Sequence, residues 1–135
     1  MTDSRQWLDR LVHATNSHDI DAVVACFAPD YVNVTPAHPA RGFVGSEQVR
    51  TNWTRIFAGV PDIESEVVAA AFDGGTAWTQ WEMRGTRHDG EPHRTAGVIV
   101  FEVEDGLARK ATFFLEPVDD GPGTVDDAVR TLVDR

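Results

Sequence analysis

The apolar residues of this chain change their period once, near residue 60. Before that point they recur at helical spacing. Trp7, Leu8, Leu11 and Val12 follow i, i+1, i+4, i+5 and form one stripe, with Asp3 or Ser4 placed to cap the helix. "NSHD", Asn16 to Asp19, breaks the pattern, and Asp19 is placed to cap a second short amphipathic helix. That helix carries Ile20, Val23, Val24 and Phe27 and is stopped by "APD" at Pro29. "YVNVT", Tyr31 to Thr35, alternates and is rich in β-formers, which predicts a strand. A Pro-punctuated loop, "PAHPARG", follows and closes on Gly42. Ser46 is placed to cap a third helix with Val49, Trp53, Ile56 and Phe57 on its apolar face, ended by Gly59 and Pro61.

After residue 60 the period is two. Ile63 to Phe72, Thr76 to Met83, Arg94 to Val103 and Leu107 to Leu115 are four predicted strands. "DGGT", "RHDGEP" and "VEDGL" join them, each built on Gly-Gly or Asp-Gly, so the four form an antiparallel meander. "DDGPG", Asp119 to Gly123, is a linker, and Val125 to Val133 predicts a terminal helix with Val125, Val129 and Leu132. Helices followed by a meander argue an α+β fold with the helices on one face of a curled sheet. The expectation is one domain over 1–135, with its core at about 7–118 and a C-terminal extension over 119–135. A curled sheet closed by helices encloses a cone, and small-ligand sites sit in such mouths.

The last strand ends "FFLEP", and Glu116 is an acid at the end of an apolar run. Either the strand leaves the core there or the acid points into a cavity. Register decides. A two-residue Asp105-Gly106 turn pairs Glu104 with Leu107, whereas a three-residue turn with a bulge shifts every partner by one and reverses the facing. Buried beside Trp81 and Phe113, Glu116 would have a raised pKa suited to acid–base work.

Composition narrows the function classes. Hydrophobic residues make up 41% and charged ones 25%, as in ordinary globular chains. The formal net charge of −10 argues against nucleic acid and anionic membranes as partners, because phosphate binding needs a basic patch. The single cysteine, Cys26, lies in an apolar run and reads as a core thiol. The N-terminal segment has no apolar stretch like that of a signal peptide, and no run is long enough to span a membrane, so a cytoplasmic location is expected. The five histidines show no metal-ligand spacing. His88 and His93 flank a predicted turn and read as a solvated tip, while His38 sits in the Pro loop at the mouth of the cone. No phosphate loop, CxxC or GxSxG occurs. No cofactor and no metal are expected.

The element order, with "NSHDIDAVVACFAPDYVNVTP", "GSEQVRTNWTRIFAGVPDIESEV", "TQWEMRGTRHDG" and "VFEVEDGLARKATFFLE", resembles the NTF2-like superfamily and, more narrowly, its SnoaL-like polyketide-cyclase branch. The resemblance covers about Trp7 to Val118. Fold does not fix function, so the family's positions must be compared one by one. The three catalytic positions of ketosteroid isomerase fall here on Leu11, on Thr35, and on Gly97 or Val98, none of which can do that chemistry. Limonene-type epoxide hydrolases carry a Tyr-x-Asn that positions water, which matches Tyr31 and Asn33, and an acid that matches Glu116. Their Arg-x-Asp pair falls on Trp81 and Met83. In the polyketide cyclases, an acid at the end of the last strand is the expected acid/base for ring closure, and Glu116 again matches.

The resemblance also implies a sheet-to-sheet homodimer. The expected site is therefore an apolar pocket lined by Tyr31, Asn33, Trp53, Trp81, Met83 and Phe113, with His38 at its mouth and Glu116 as its one carboxylate. The expected ligand is a small hydrophobic, cyclic or polyketide-like metabolite. Glu116, Tyr31 and Asn33 would carry cofactor-independent acid–base chemistry. A non-catalytic binding module and an epoxide hydrolase are the alternatives.

Overall fold

The structure is a computed structural model and describes residues 4–134. Helix α1 (Ser4–Asn16) buries Trp7, Leu8, Leu11, Ala14 and Thr15 along one stripe. Asp3 lies outside the described residues. Ser4 opens the helix, and its hydroxyl donates to the Gly74 carbonyl at 3.2 Å. Helix α2 (Ile20–Val24) is capped by Asp19, which accepts from the Ala22 amide at 3.1 Å. It is shorter than its apolar pattern predicts. Phe27 is not its last helical residue but the first of strand β1 (Phe27–Val34). The Ala108 amide donates to the Cys26 carbonyl at 2.9 Å and draws the chain onto the sheet. The Phe27 ring then packs on Tyr31 at 4.8 Å and Trp7 at 6.3 Å, so its burial is achieved from a strand. Pro29 does not stop a helix. It sits within β1 where pairing jumps between Phe27 and Val32, a place where a missing N–H costs no ladder bond.

The Pro loop contains a 3₁₀ turn (Pro39–Arg41) and leads into strand β2 (Phe43–Val44), whose two residues are too few for a period to show. Helix α3 (Ser46–Gly59) is not capped by Ser46. Gly45 holds the cap position at φ 104°, with no side-chain bond, and Ser46 is already helical. Strands β3 (Glu64–Asp73), β4 (Thr76–Thr86), β5 (Pro92–Glu104) and β6 (Leu107–Pro117) form the expected meander. The sheet order is β2-β1-β6-β5-β4-β3, antiparallel except for the β1–β6 pair. Helix α4 (Val125–Val133) has a capping box between Thr124 and Asp127, and Val125, Val129, Leu132 and Val133 on it are exposed. The architecture is the α+β one expected.

One irregularity decides the facing of the last strand. The Asp105-Gly106 turn is the two-residue kind, with φ 54° and 75°, and it pairs Glu104 with Leu107 and Val103 with Ala108. Continued without interruption, that register would set Thr95 opposite Glu116. The partner of Glu102 is instead Lys110, so Arg109 is an extra residue in β6. From there Phe101, Ile99 and Gly97 face Ala111, Phe113 and Leu115. The one-residue bulge turns Phe113 and Leu115 inward and puts Glu116 on the outer parity with Phe114.

Candidate functional site

The inward parities of the strands meet the stripes of α1 and α3 around a cavity of about 330 Å³. Its apolar end is built by Leu11, Phe27, Ile99 and Phe101. Alternation along β4 brings Trp81 and Met83 to the wall, as parity predicts, and β6 contributes Phe113. Trp53 lines it from α3, its ring 5.4 Å from Phe57. The Trp81 indole N–H is held within the wall, donating to Thr79 Oγ1 at 2.7 Å, and that hydroxyl donates to the Ile99 carbonyl at 2.6 Å. Trp81 therefore presents an apolar ring.

Strand β1 supplies the polar track. Tyr31 and Asn33 lie two residues apart and share the inward face, and both are buried. The Tyr31 hydroxyl donates to Asn33 Oδ1 at 2.9 Å, and Asn33 Nδ2 donates to Thr35 Oγ1 at 3.4 Å. Burial pushes the Tyr31 phenol well above its ordinary pKa, because the phenolate would lose its hydration. Tyr31 is therefore a neutral donor at any physiological pH.

Glu116 is not in this cavity. Its side chain is 42% exposed and sits at the rim, 2.9 Å from His38 Nε2 and 3.8 Å from Arg41 Nη1. The Arg109 bulge is the cause, since it places Glu116 on the other face from Phe113. His38 is likewise absent from the wall; its imidazole is turned to Glu116. No Asp or Glu lines the cavity among the described residues.

Six polar residues of the wall fall outside the expected set: Thr15, Thr35, Arg41, Asn52, His93 and Thr95. His93 is not on the hairpin tip. The turn closes earlier, through bonds from the Arg87 amide to the Glu91 carbonyl and from the Gly90 amide to the Arg87 carbonyl, both at 2.9 Å. Strand β5 starts at Pro92, so His93 and Thr95 share parity with Ile99 and Phe101. Counting back by twos from Phe101 would have found both. Thr95 Oγ1 is buried with no hydrogen-bond partner in the protein. Among the described residues, no group of three or more His, Cys, Asp or Glu side chains is arranged to hold a metal ion.

Comparison with known proteins gives the family. The SnoaL-like domain profile matches residues 8–111. No curated protein matches the chain. Three solved structures share the fold. A candidate polyketide cyclase from Streptomyces antibioticus is 21% identical, with a TM-score of 0.73 over 85% of this chain and 93% of that one. A candidate SnoaL-like polyketide cyclase from Jannaschia sp. is 18% identical, with a TM-score of 0.70 over 84% and 85%. A hypothetical protein with a ketosteroid isomerase-like fold from Catenulispora acidiphila, solved with trimethylamine, is 15% identical, with a TM-score of 0.69 over 79% and 82%. At these identities the likeness is one of fold alone. With a match over most of its length, the chain belongs to the SnoaL-like domain family.

Proposed function

We propose that the chain binds a small hydrophobic, cyclic metabolite of polyketide type in this cavity and performs cofactor-independent acid–base chemistry on it, of cyclase or isomerase kind. The observation that carries this reading is the Tyr31–Asn33–Thr35 hydrogen-bonded track on the wall of an otherwise largely apolar cavity. The volume lies at the small end of the range for ligand sites, roughly 300–1,000 Å³. A substrate carbonyl would accept from the Tyr31 hydroxyl once that hydroxyl turns from Asn33 Oδ1 to the ligand; the phenol stays protonated and can stabilise an enolate oxygen. His93 is the imidazole on the wall, the side-chain type that takes and returns a proton near neutrality. It would remove the proton α to the carbonyl, the enolate carbon would attack a second carbonyl, and the imidazolium would protonate the resulting alkoxide.

Glu116 would then act at the rim rather than on the reacting atoms. The lack of a carboxylate on the wall favours a second reading, a binding module without turnover. Epoxide hydrolysis gains no support. The positions of its Arg-x-Asp pair hold Trp81 and Met83, and Glu116 lies outside the cavity. We also propose a homodimer formed through the outer sheet face.

The test is a thermal-shift screen of wild type, Tyr31→Phe, His93→Gln and Glu116→Gln against cyclic ketones, polyketide-like aromatics, terpene epoxides and steroids. A ligand at 100 times its Kd adds about 2.7 kcal/mol, or roughly 5 to 10 °C for a domain of this size. Cyclic ketones or aromatics should shift the wild type, and turnover on that class should be lost in His93→Gln with binding kept. No shift from any class would overturn the pocket reading. Turnover lost in Glu116→Gln and kept in His93→Gln would return the acid–base role to Glu116. Binding without turnover in the wild type selects the module.

A further inference from the structure

The cavity has a chemical direction. The strand registers bring the C-terminal ends of β4 and β6 beside the N-terminal end of β5, since Thr95 pairs with both Met83 and Pro117, while β1 ends level with the middle of β6, Val34 opposite Thr112. His93 and Thr95 line the cavity at this end, and Arg41 reaches it from the 3₁₀ turn beside Glu116, the partner of Ala96, while Phe27 and Phe101 lie toward the other end of the sheet. In a protein of net charge −10, the ionisable groups lining the cavity among the described residues are Tyr31, Arg41 and His93, with no carboxylate.

The cation is also poorly matched inside the protein. The Arg41 guanidinium has Glu116 as its ion-pair partner among the described residues, at 3.8 Å, beyond hydrogen-bonding distance. The other Glu116 oxygen, Oε1, is paired with His38 at 2.9 Å. Arg41 is 60% exposed and also lines the cavity. Thr95 Oγ1 adds a buried hydroxyl with no partner. Asn52 receives Gln48 Nε2 on its oxygen at 2.8 Å, which leaves its own amide hydrogens to donate.

We propose that the ligand is a hydrophobic carboxylic acid, bound with its ring system against Trp53, Trp81 and Phe113 and its carboxylate at the Arg41 end. This inference rests on the pocket reading above. The planar guanidinium matches a carboxylate through two parallel N–H···O bonds, and such charge-assisted bonds are the strong ones. The acidic surface does not forbid an anion, because charges beyond about 8 Å are largely screened at physiological salt. Glu116 competes with the ligand for Arg41, so the rim carboxylate sets how tightly an acid is held.

Matched probes test this in the full chain: naphthoate, methyl naphthoate and naphthamide, read by quenching of the cavity tryptophans. Wild type should bind naphthoate about tenfold or more tightly than the ester or amide, in line with a charge-assisted bond pair. Arg41→Met should bring the acid to the affinity of the ester and leave the ester unchanged. Glu116→Gln should tighten the acid alone, and added salt should weaken the acid alone. Melting temperatures verify that both variants fold. Equal binding of acid and ester in wild type overturns the carboxylate inference and leaves the pocket standing. An acid preference that survives Arg41→Met overturns it as well. Failure of all three probes to bind removes this inference together with the pocket reading beneath it.

Discussion

Tyr31 stands at the meeting of packing and chemistry. Its ring is 1% exposed and packs on Phe27 and Phe43, while its hydroxyl is held by Asn33. It is also the only tyrosine in the chain, so its titration can be read without interference from a second phenol. Burial raises its folded pKa above the ordinary value of about 10. The sign follows: the stabilising contribution is complete below about pH 10 and is lost as pH rises from there toward the folded value, at up to about 1.4 kcal/mol per pH unit. Tyrosinate absorbance should therefore stay absent as the pH passes about 10 and appear only with loss of the native circular-dichroism signal. Tyr31→Phe should lack that alkaline limb. A smooth titration near the ordinary value in a folded protein would show that the hydroxyl is open to water. The same substitution removes the donor to a ligand carbonyl, so it should weaken ketone binding by about 0.5–1.5 kcal/mol.

At the scale of elements, most of the sheet was legible because alternation is a strong signal. The four meander strands, the shared face of Tyr31 and Asn33, and the shared face of Trp81 and Met83 all follow from period two. The misses lie where one residue changes the count. Arg109 carries no mark of being a bulge, since a half-buried arginine is also ordinary in a regular strand, yet it alone turns Glu116 out of the cavity. His93 was misplaced because Asp89 and Glu91 made the tip look longer than the turn that closes there. Phe27 shows the same limit, because an apolar residue at a boundary satisfies a helix stripe or a strand face equally.

Gly97 tests how tightly β5 and β6 are pinned. Its φ is +150°, and a Cβ there would meet Leu115 Cα at 2.8 Å and press on the Phe114 carbonyl. Gly97→Ala should cost about 2–4 kcal/mol in chemical denaturation, through backbone strain plus a clash with main chain that cannot rotate away. Gly59→Ala is the control: nothing lies within 4 Å of its Cβ position, and it should be neutral or stabilising by up to about 1 kcal/mol. Equal effects at the two sites would mean that the sheet relaxes around the added methyl.

For the whole molecule, the open question is the outer face of the sheet. Helix α1 lies against β3 and β4 and α3 against β1, on the cavity side. The other face carries Trp78, 53% exposed, and Phe114, 47% exposed. Register places Trp78 beside Val100 and Phe114 beside Val98, so these side chains form one apolar patch across β4, β5 and β6. Glu66, Glu82, Arg84 and Arg94 border it along the sheet. An apolar centre with a charged rim is the anatomy of a protein interface, and two copies of one such patch can meet about a two-fold axis. The expectation is a dimer of twice 14.9 kDa by light scattering. Trp78→Glu should shift it to monomer, because the charge would be buried without a partner at the centre of the contact. The variant should keep its ligand affinity, since Trp78 faces away from the cavity wall that Trp81 lines. A wild type that stays monomeric at high concentration would leave the patch to another partner. A Trp78→Glu variant that loses ligand binding along with dimerisation would instead mean that the interface holds the cavity in shape, coupling the two faces through β4 and β6.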